Sequence, residues 1–120
     1  MFGSRPFEGL LPQAVLQSLD QIGLDTDGRL FELNSYENRV YQVGVAGGGM
    51  SVVKFYRPGR WTDAQILEEH AFAAELVGAD LVVSAPQIFD GLTLHHRSSL
   101  RLAINFSWLI LQRLLYLLRQ

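Results

Sequence analysis

The sequence predicts an α+β fold in which a five-stranded antiparallel sheet packs against one helix. Three segments rich in β-branched and aromatic residues, 29–33, 40–45 and 51–56, follow one another with turn-forming residues between them. A helix with clear start and stop signals comes directly after them, and residues 101–106 have the pattern of a further strand. Because the first connections are short, we expect these three strands to form an antiparallel meander.

Composition limits the classes of protein that this chain can belong to. The 120 residues are 48% hydrophobic and 18% charged, which indicates one folded domain rather than a disordered chain. A net charge of −2 gives no basic surface for nucleic acid. The absence of cysteine excludes disulfides, thiol catalysis and cysteine–zinc sites. No signal peptide is visible at the N-terminus, so we expect a cytoplasmic protein. We also expect the protein to be a monomer.

The segment before the first strand predicts a helix. Apolar side chains recur at helical spacing over residues 11–22, with Pro12 near the start and Gly23 just past the end. Residues 25–28, Asp-Thr-Asp-Gly, predict a turn that leads into the first strand.

The helix that follows the third strand has several signals at its N-terminus. Thr62 is a favourable N-cap, and Gln65 stands three residues later, as a capping box requires. Trp61 and Ile66 occupy the two positions of a hydrophobic staple. The helix is expected to run to about residue 77 and to end at Gly78.

Lys54 is the one lysine of the sequence, and it stands in the middle of an apolar strand. A cation in such a strand is costly unless a carboxylate or a bound anion compensates for its charge. Glu69 falls near the centre of the predicted apolar helix face, which consists of Ile66, Phe72, Ala73, Leu76 and Val77. Lys54 and Glu69 therefore form a candidate ion pair of the kind on which kinases build their ATP site. The alternative is that Glu69 lies at a partly solvated edge or pairs with an arginine.

The polar loop between the first two strands is a candidate phosphate-binding loop. Residues 34–38, Asn-Ser-Tyr-Glu-Asn, tolerate tight turns, in which backbone N–H groups can approach an anion. The glycine run 47–49 lies between the second and third strands and predicts a hairpin turn instead. His95 and His96 predict a solvated turn, and His70 an exposed, inert position.

Three segments carry a resemblance to a known family: LNSYENRVYQ at 33–42, VVKFYRP at 52–58 and RWTDAQILEEH at 60–70. Together they resemble the stress response kinase A family, bacterial Ser/Thr protein kinases with the fold of the aminoglycoside and choline kinases. The resemblance covers residues 10–95, which is the N-terminal lobe of such a kinase. The resemblance implies an ATP-binding lobe. It is also the source of the prediction that the antiparallel sheet has five strands.

The resemblance also implies roles for individual residues. The strand lysine, here Lys54, binds the α- and β-phosphates of ATP, and the helix glutamate, here Glu69, orients it. Glu68 is the alternative partner, because two adjacent acidic residues leave the register ambiguous. Ser35 corresponds to a residue at the ATP phosphates, and it is flanked in the nucleotide-binding loop by Asn34 and Tyr36.

ATP and Mg²⁺ are the cofactors that the resemblance implies, with the metal ligands and the catalytic aspartate in the C-terminal lobe. No catalytic residue is therefore expected in this chain. We divide the chain into an extension with a helix (1–28), a kinase-like lobe (29–106) and an apolar tail (107–120). The tail is interpreted as a truncated or aberrant end. A membrane anchor is the alternative, although the tail is shorter than the ~20 residues of a membrane-spanning helix.

The predicted function is ATP-dependent phosphoryl transfer to protein Ser or Thr in a stress response. Two alternatives remain open from the sequence. One is a small-molecule kinase that acts on a choline-, homoserine- or aminoglycoside-like alcohol, since the acceptor site would lie in the other lobe. The other is a non-catalytic fragment or interaction module.

Overall fold

The structure is a computed structural model that describes residues 7, 10–33, 37–79, 85–97 and 99–106. Its five strands form one antiparallel sheet in the order β1-β2-β3-β5-β4. This confirms the predicted α+β fold, with two helices beside the sheet. The elements are α1 Pro12–Gln21, β1 Thr26–Leu33, β2 Arg39–Val45, β3 Met50–Tyr56, α2 Asp63–Gly78, β4 His95–Arg97 and β5 Leu100–Phe106.

The first strand starts earlier than the sequence predicts, because part of the predicted turn is a strand irregularity. β1 begins at Thr26, and its pairing with β2 shifts register between Thr26 and Leu30. Gly28 adopts a φ of 94°, and the Asp27 carboxylate accepts hydrogen bonds from the backbone and side chain of Arg29. Turn-forming residues here make a bulge inside the strand rather than a break before it.

The glycine run 47–49 is the hairpin turn between β2 and β3, as predicted. All three glycines have φ between 91° and 107°, a region that costs an L-residue strain but costs glycine nothing. The turn ends five residues before Lys54 in the chain, at the far end of β3 from the candidate phosphate loop.

One face of the sheet packs against α1 and forms the larger part of the core. Strand residues alternate between faces, so every second residue of β2, β3 and β5 points toward α1. Val15 and Leu19 of the helix are fully buried there. The strand members of this cluster are Tyr41, Val43, Val53, Phe55, Leu102 and Ile104. The helix of the N-terminal segment therefore belongs to the packed core.

The opposite face of the sheet packs against α2 through a smaller cluster. Tyr56 and Ala103 from the strands meet Ile66 from the helix and Leu94 from the segment before β4. Trp61 packs against this cluster beside Ile66, which confirms the predicted hydrophobic staple.

The apolar face predicted for α2 is correct at Ile66 and, in part, at the half-buried Ala73 and Leu76, but wrong at Phe72 and Val77. Ile66 and His70 are the buried residues of the helix, whereas Phe72 and Val77 are 59% and 46% exposed. Glu69 consequently lies at the solvated edge of the packed face and not at its centre. The pattern failed because it counts histidine as polar, whereas His70 finds two hydroxyl groups inside the protein.

The predicted capping box of α2 is present. The Thr62 Oγ1 accepts a hydrogen bond from the Gln65 backbone N–H at 3.1 Å, and the Gln65 Oε1 accepts one from the Thr62 N–H at 2.9 Å.

Thr62→Ala is expected to lower the free energy of unfolding by about 0.5–2 kcal/mol, because it leaves an N–H at the helix start without its acceptor. Thr62→Ser keeps the hydroxyl and should retain most of the wild-type value. Urea denaturation of the three proteins measures the difference. Equal losses in both variants would show that the methyl group, and not the cap, stabilises the helix.

The two adjacent histidines lie on a strand, and the predicted solvated turn is wrong. His95 pairs with Leu102 and is buried beside Phe89, with 6.4 Å between the ring centroids. His96 points to the other side, where its Nε2 lies 2.9 Å from the Asp63 carboxylate. Backbone pairing with β5 creates this strand, and the local sequence carries no signal for it.

Candidate functional site

Lys54 lies on the central strand β3 and faces α2. Its cross-strand neighbours are Val40 on β2 and Ala103 on β5, which puts all three on the same face of the sheet. The side chain is 30% exposed, so the cation is not buried as the apolar strand suggested. Its Nζ lies 5.0 Å from the centroid of the Tyr56 ring, within the range of a cation–π contact.

Glu69 of α2 is the carboxylate that approaches this lysine. The distance from the Lys54 Nζ to the Glu69 Oε1 is 3.9 Å, so the predicted pair is present and its partner is Glu69 rather than Glu68. The Glu69 side chain is 68% exposed, which makes this a long, solvated ion pair. Such pairs contribute about 0–1 kcal/mol, and the ammonium group therefore keeps its capacity to bind another anion.

A small cleft of about 40 Å³ opens beside this pair. The cleft is lined by Asn38, Lys54, Tyr56, Trp61, Gln65, Ile66 and Glu69. Its volume is far below the ~300 Å³ at which ligand pockets begin. The cleft can therefore accept one anionic group of a ligand, and the rest of a nucleotide would lie outside it.

The end of the candidate phosphate loop is held beside the cleft by the connection between β3 and α2. The Asn38 Oδ1 accepts a hydrogen bond from the Arg57 backbone N–H at 3.0 Å, and the Glu37 carboxylate pairs with Arg60 at 3.2 Å. The three residues at the centre of the predicted loop, Asn34, Ser35 and Tyr36, lie outside the described residues, as does the apolar tail 107–120.

The structure reveals a buried hydrogen-bonded chain that the sequence did not predict. The His70 Nε2 lies 2.8 Å from the Tyr56 hydroxyl, and the His70 Nδ1 lies 2.8 Å from the Thr93 Oγ1. Burial lowers the pKa of His70, and the Lys54 charge adds to this effect while Glu69 opposes it. Burial raises the pKa of Tyr56 most, and the negative charge of Glu69 raises it further. Both side chains are therefore neutral near pH 7.

Protein stability is expected to fall as the pH falls below about 6.5, the ordinary pKa of histidine. Burial lowers the pKa of both His70 and His95 in the folded protein, so the unfolded chain binds more protons in this range. Proton uptake then favours unfolding, by at most about 1.4 kcal/mol per pH unit for each histidine. Urea denaturation midpoints between about pH 7 and pH 5 measure the slope. A midpoint that stays constant or rises on acidification would contradict this prediction.

Among the described residues, no group of three or more His, Cys, Asp or Glu side chains could hold a metal ion. The helices formed by the residues that the structure describes are too short or too polar to cross a membrane.

Comparison with known proteins identifies the family. The model of the phosphotransferase enzyme family, APH, matches residues 30–114, most of the chain. This chain belongs to the phosphotransferase enzyme family. The match includes the strand with Lys54 and the helix with Glu69, so the ion pair lies inside the region that defines the family.

Two curated members of this phosphotransferase family are similar to the chain. Stress response kinase A of Escherichia coli strain K12 is 46% identical over 98 residues, which cover 82% of this chain and 30% of the relative. The serine/threonine protein kinase RdoA of Salmonella typhimurium strain LT2 is 49% identical over 88 residues, with 73% and 27% covered. The chain thus spans less than a third of the length of these relatives.

A solved structure shares the fold at low sequence identity. The amicoumacin kinase hAmiN, in a complex with AMP-PNP, Ca²⁺ and Ami, superposes with a TM-score of 0.71 and 19% identity. The superposition covers 79% of this chain and 30% of that protein. This likeness confirms the kinase-like N-terminal lobe as the fold of the chain.

Proposed function

We propose that this chain forms the ATP-binding lobe of a cytoplasmic, monomeric stress-response kinase that phosphorylates Ser or Thr of proteins. The observation that carries the proposal is the Lys54–Glu69 pair, formed between the central strand and α2 in a phosphotransferase-family fold. The identity of 49% with a serine/threonine protein kinase favours a protein acceptor over a small alcohol.

Each side chain has a specific role in this proposal. Lys54 supplies a cation for the α- and β-phosphates, and its loose pairing with Glu69 leaves the ammonium able to exchange solvent for phosphate. Glu69 orients the lysine. Ser35, with Asn34 and Tyr36, is assigned to contact with the phosphates of ATP, as the loop composition suggests. Mg²⁺ would neutralise the developing phosphate charge, and we assign its ligands and the catalytic base to the C-terminal lobe of such a kinase.

A hybrid enzyme tests the ATP-binding role of this chain. Residues 1–106 of this chain replace the matching part of the Escherichia coli stress response kinase A, and transfer of labelled γ-phosphate from ATP to a generic protein substrate is measured. Because the acceptor site lies in the part that the Escherichia coli kinase contributes, the readout reports on ATP binding and phosphate positioning by this lobe. The proposal predicts labelled phosphoserine or phosphothreonine. A hybrid that folds without binding ATP would support a non-catalytic role for this lobe.

The 120-residue chain alone is expected to show weak or undetectable ATP binding and no phosphoryl transfer. Lys54 can contact phosphate, but the described residues contain no group of acidic or histidine side chains that could hold the metal needed to neutralise the phosphate charge. The assay combines purified chain, labelled ATP, Mg²⁺ and a protein substrate. If the chain transfers phosphate and the substitution Lys54→Ala abolishes this activity, the prediction is contradicted and a catalytic base lies within this chain.

A further inference from the structure

His70 makes a buried hydrogen bond between α2 and the strand that carries Lys54. It follows Glu69 directly in the helix, and the side chain is only 5% exposed. The Nε2 reaches the hydroxyl of Tyr56, which stands two residues after Lys54 and on the same face of the sheet. The Tyr56 ring in turn contacts the Lys54 ammonium at 5.0 Å. Helix, tyrosine and lysine are thus linked in one chain of contacts.

The ion pair cannot hold the helix in this position by itself. A solvated pair at 3.9 Å contributes little, whereas each buried hydrogen bond contributes more and is costly to break with one partner left behind. At the N-terminus of α2, Asp63 pairs with Arg101 at 2.8 Å and with His96 at 2.9 Å. Those contacts lie at the start of the helix, and the hydrogen bonds of His70 to Tyr56 and Thr93 follow two turns later.

We propose that His70 is a positioning residue for the Lys54–Glu69 pair. By binding Tyr56 and Thr93 at once, it fixes the rotation of α2 about its axis, which sets where Glu69 points. This inference rests on the proposed function of the pair in nucleotide binding. The arrangement of the pair itself is measurable without nucleotide.

The single lysine of the chain makes a direct measurement possible. In protein grown with ¹³C- and ¹⁵N-labelled lysine, the labelled side-chain NMR signal comes from Lys54 alone, because the sequence has no other lysine. Glu69→Gln removes the paired charge, so it shows how far the Lys54 signal shifts when the ion pair is lost. Glu75→Gln, at an exposed position of the same helix, is the control. Lys54 should shift clearly in the first variant and stay at its wild-type position in the second.

Two substitutions of the histidine separate its two hydrogen bonds. Glutamine can place an amide where Nε2 lies and so keep the bond to Tyr56, whereas asparagine reaches only the position of Nδ1. His70→Asn is expected to shift the Lys54 signal by at least half as much as Glu69→Gln does. His70→Gln should leave it near the wild-type position. Tyr56→Phe keeps the ring and loses the hydroxyl, so it should shift the signal as His70→Asn does.

A merely structural role for His70 gives a different result. Val43→Ala, on the opposite face of the sheet, lowers the thermal midpoint without touching the hydrogen-bonded chain. If His70→Asn and Tyr56→Phe lower the midpoint in the same way and leave the Lys54 signal unchanged, the proposal is overturned. It is also overturned if Glu69→Gln leaves the signal unchanged, since no pair then exists to be positioned. If His70→Asn does not fold, Tyr56→Phe decides. Failure of ATP binding in the hybrid enzyme would refute the proposed function without changing these NMR results.

Discussion

Replacement of Lys54 by methionine in the hybrid enzyme is expected to lower kcat/KM for phosphoryl transfer by about 10²–10³-fold. The methionine side chain is similar in length but carries no charge, so the phosphates lose the one cation that β3 presents to them. Because charge develops on the phosphates during transfer, the loss should be larger in kcat than in ATP affinity. Steady-state kinetics at varied ATP concentration measure kcat and the KM for ATP separately.

A control must remove a positive charge elsewhere on the same sheet. Arg29→Gln on β1 does so at an exposed pair with Asp27, near the glycine turn and away from the cleft. It should leave kcat/KM close to wild type. If both variants lose activity equally, the net charge of the lobe matters and Lys54 has no specific role. If neither loses activity, the proposed nucleotide site is wrong.

Phe55→Ala is expected to lower the free energy of unfolding by about 3–5 kcal/mol, the largest stability effect of the substitutions considered. Phe55 is fully buried on the central strand and packs edge-on against Tyr41, with 6.0 Å between ring centroids. The substitution removes the ring and leaves a cavity beneath α1. Since domains of this size are stable by only about 5–15 kcal/mol, the substitution should remove a large part of the total stability and lower the urea midpoint clearly.

Phe31→Ala makes the same chemical change at an exposed site. Phe31 lies on the edge strand β1 and is 54% exposed, so its removal should cost no more than about 1 kcal/mol. Circular dichroism during urea denaturation compares the two variants with wild type. Similar losses in both would mean that β propensity, and not burial, determines the contribution of these aromatic residues.

Local signals in the sequence were sufficient for α2, for the hairpin between β2 and β3 and for the strand around Lys54. The capping box of Thr62 and Gln65, the glycine hairpin at 47–49 and the strand around Lys54 all depend on residues close to one another in the chain. Backbone conformation there follows from short-range sterics and hydrogen bonds, which a sequence displays directly. The resemblance to a kinase family then supplied the number of strands and the expected roles of Lys54 and Glu69 in ATP binding.

The rotation of α2 and the burial of its side chains depended on contacts between distant segments. His70 is buried because Tyr56 and Thr93, 14 and 23 residues away, satisfy both of its ring nitrogens. The strand at His95 exists only through its pairing with β5.

The sequence by itself thus determined the helices, the meander and the presence of a strand lysine and a helix glutamate that are able to pair. Only the tertiary structure decided that Glu69 stays in solvent while its neighbour His70 enters the core. The physical reason is that burying a polar group is costly unless it is hydrogen-bonded, and the partners come together only when the chain folds.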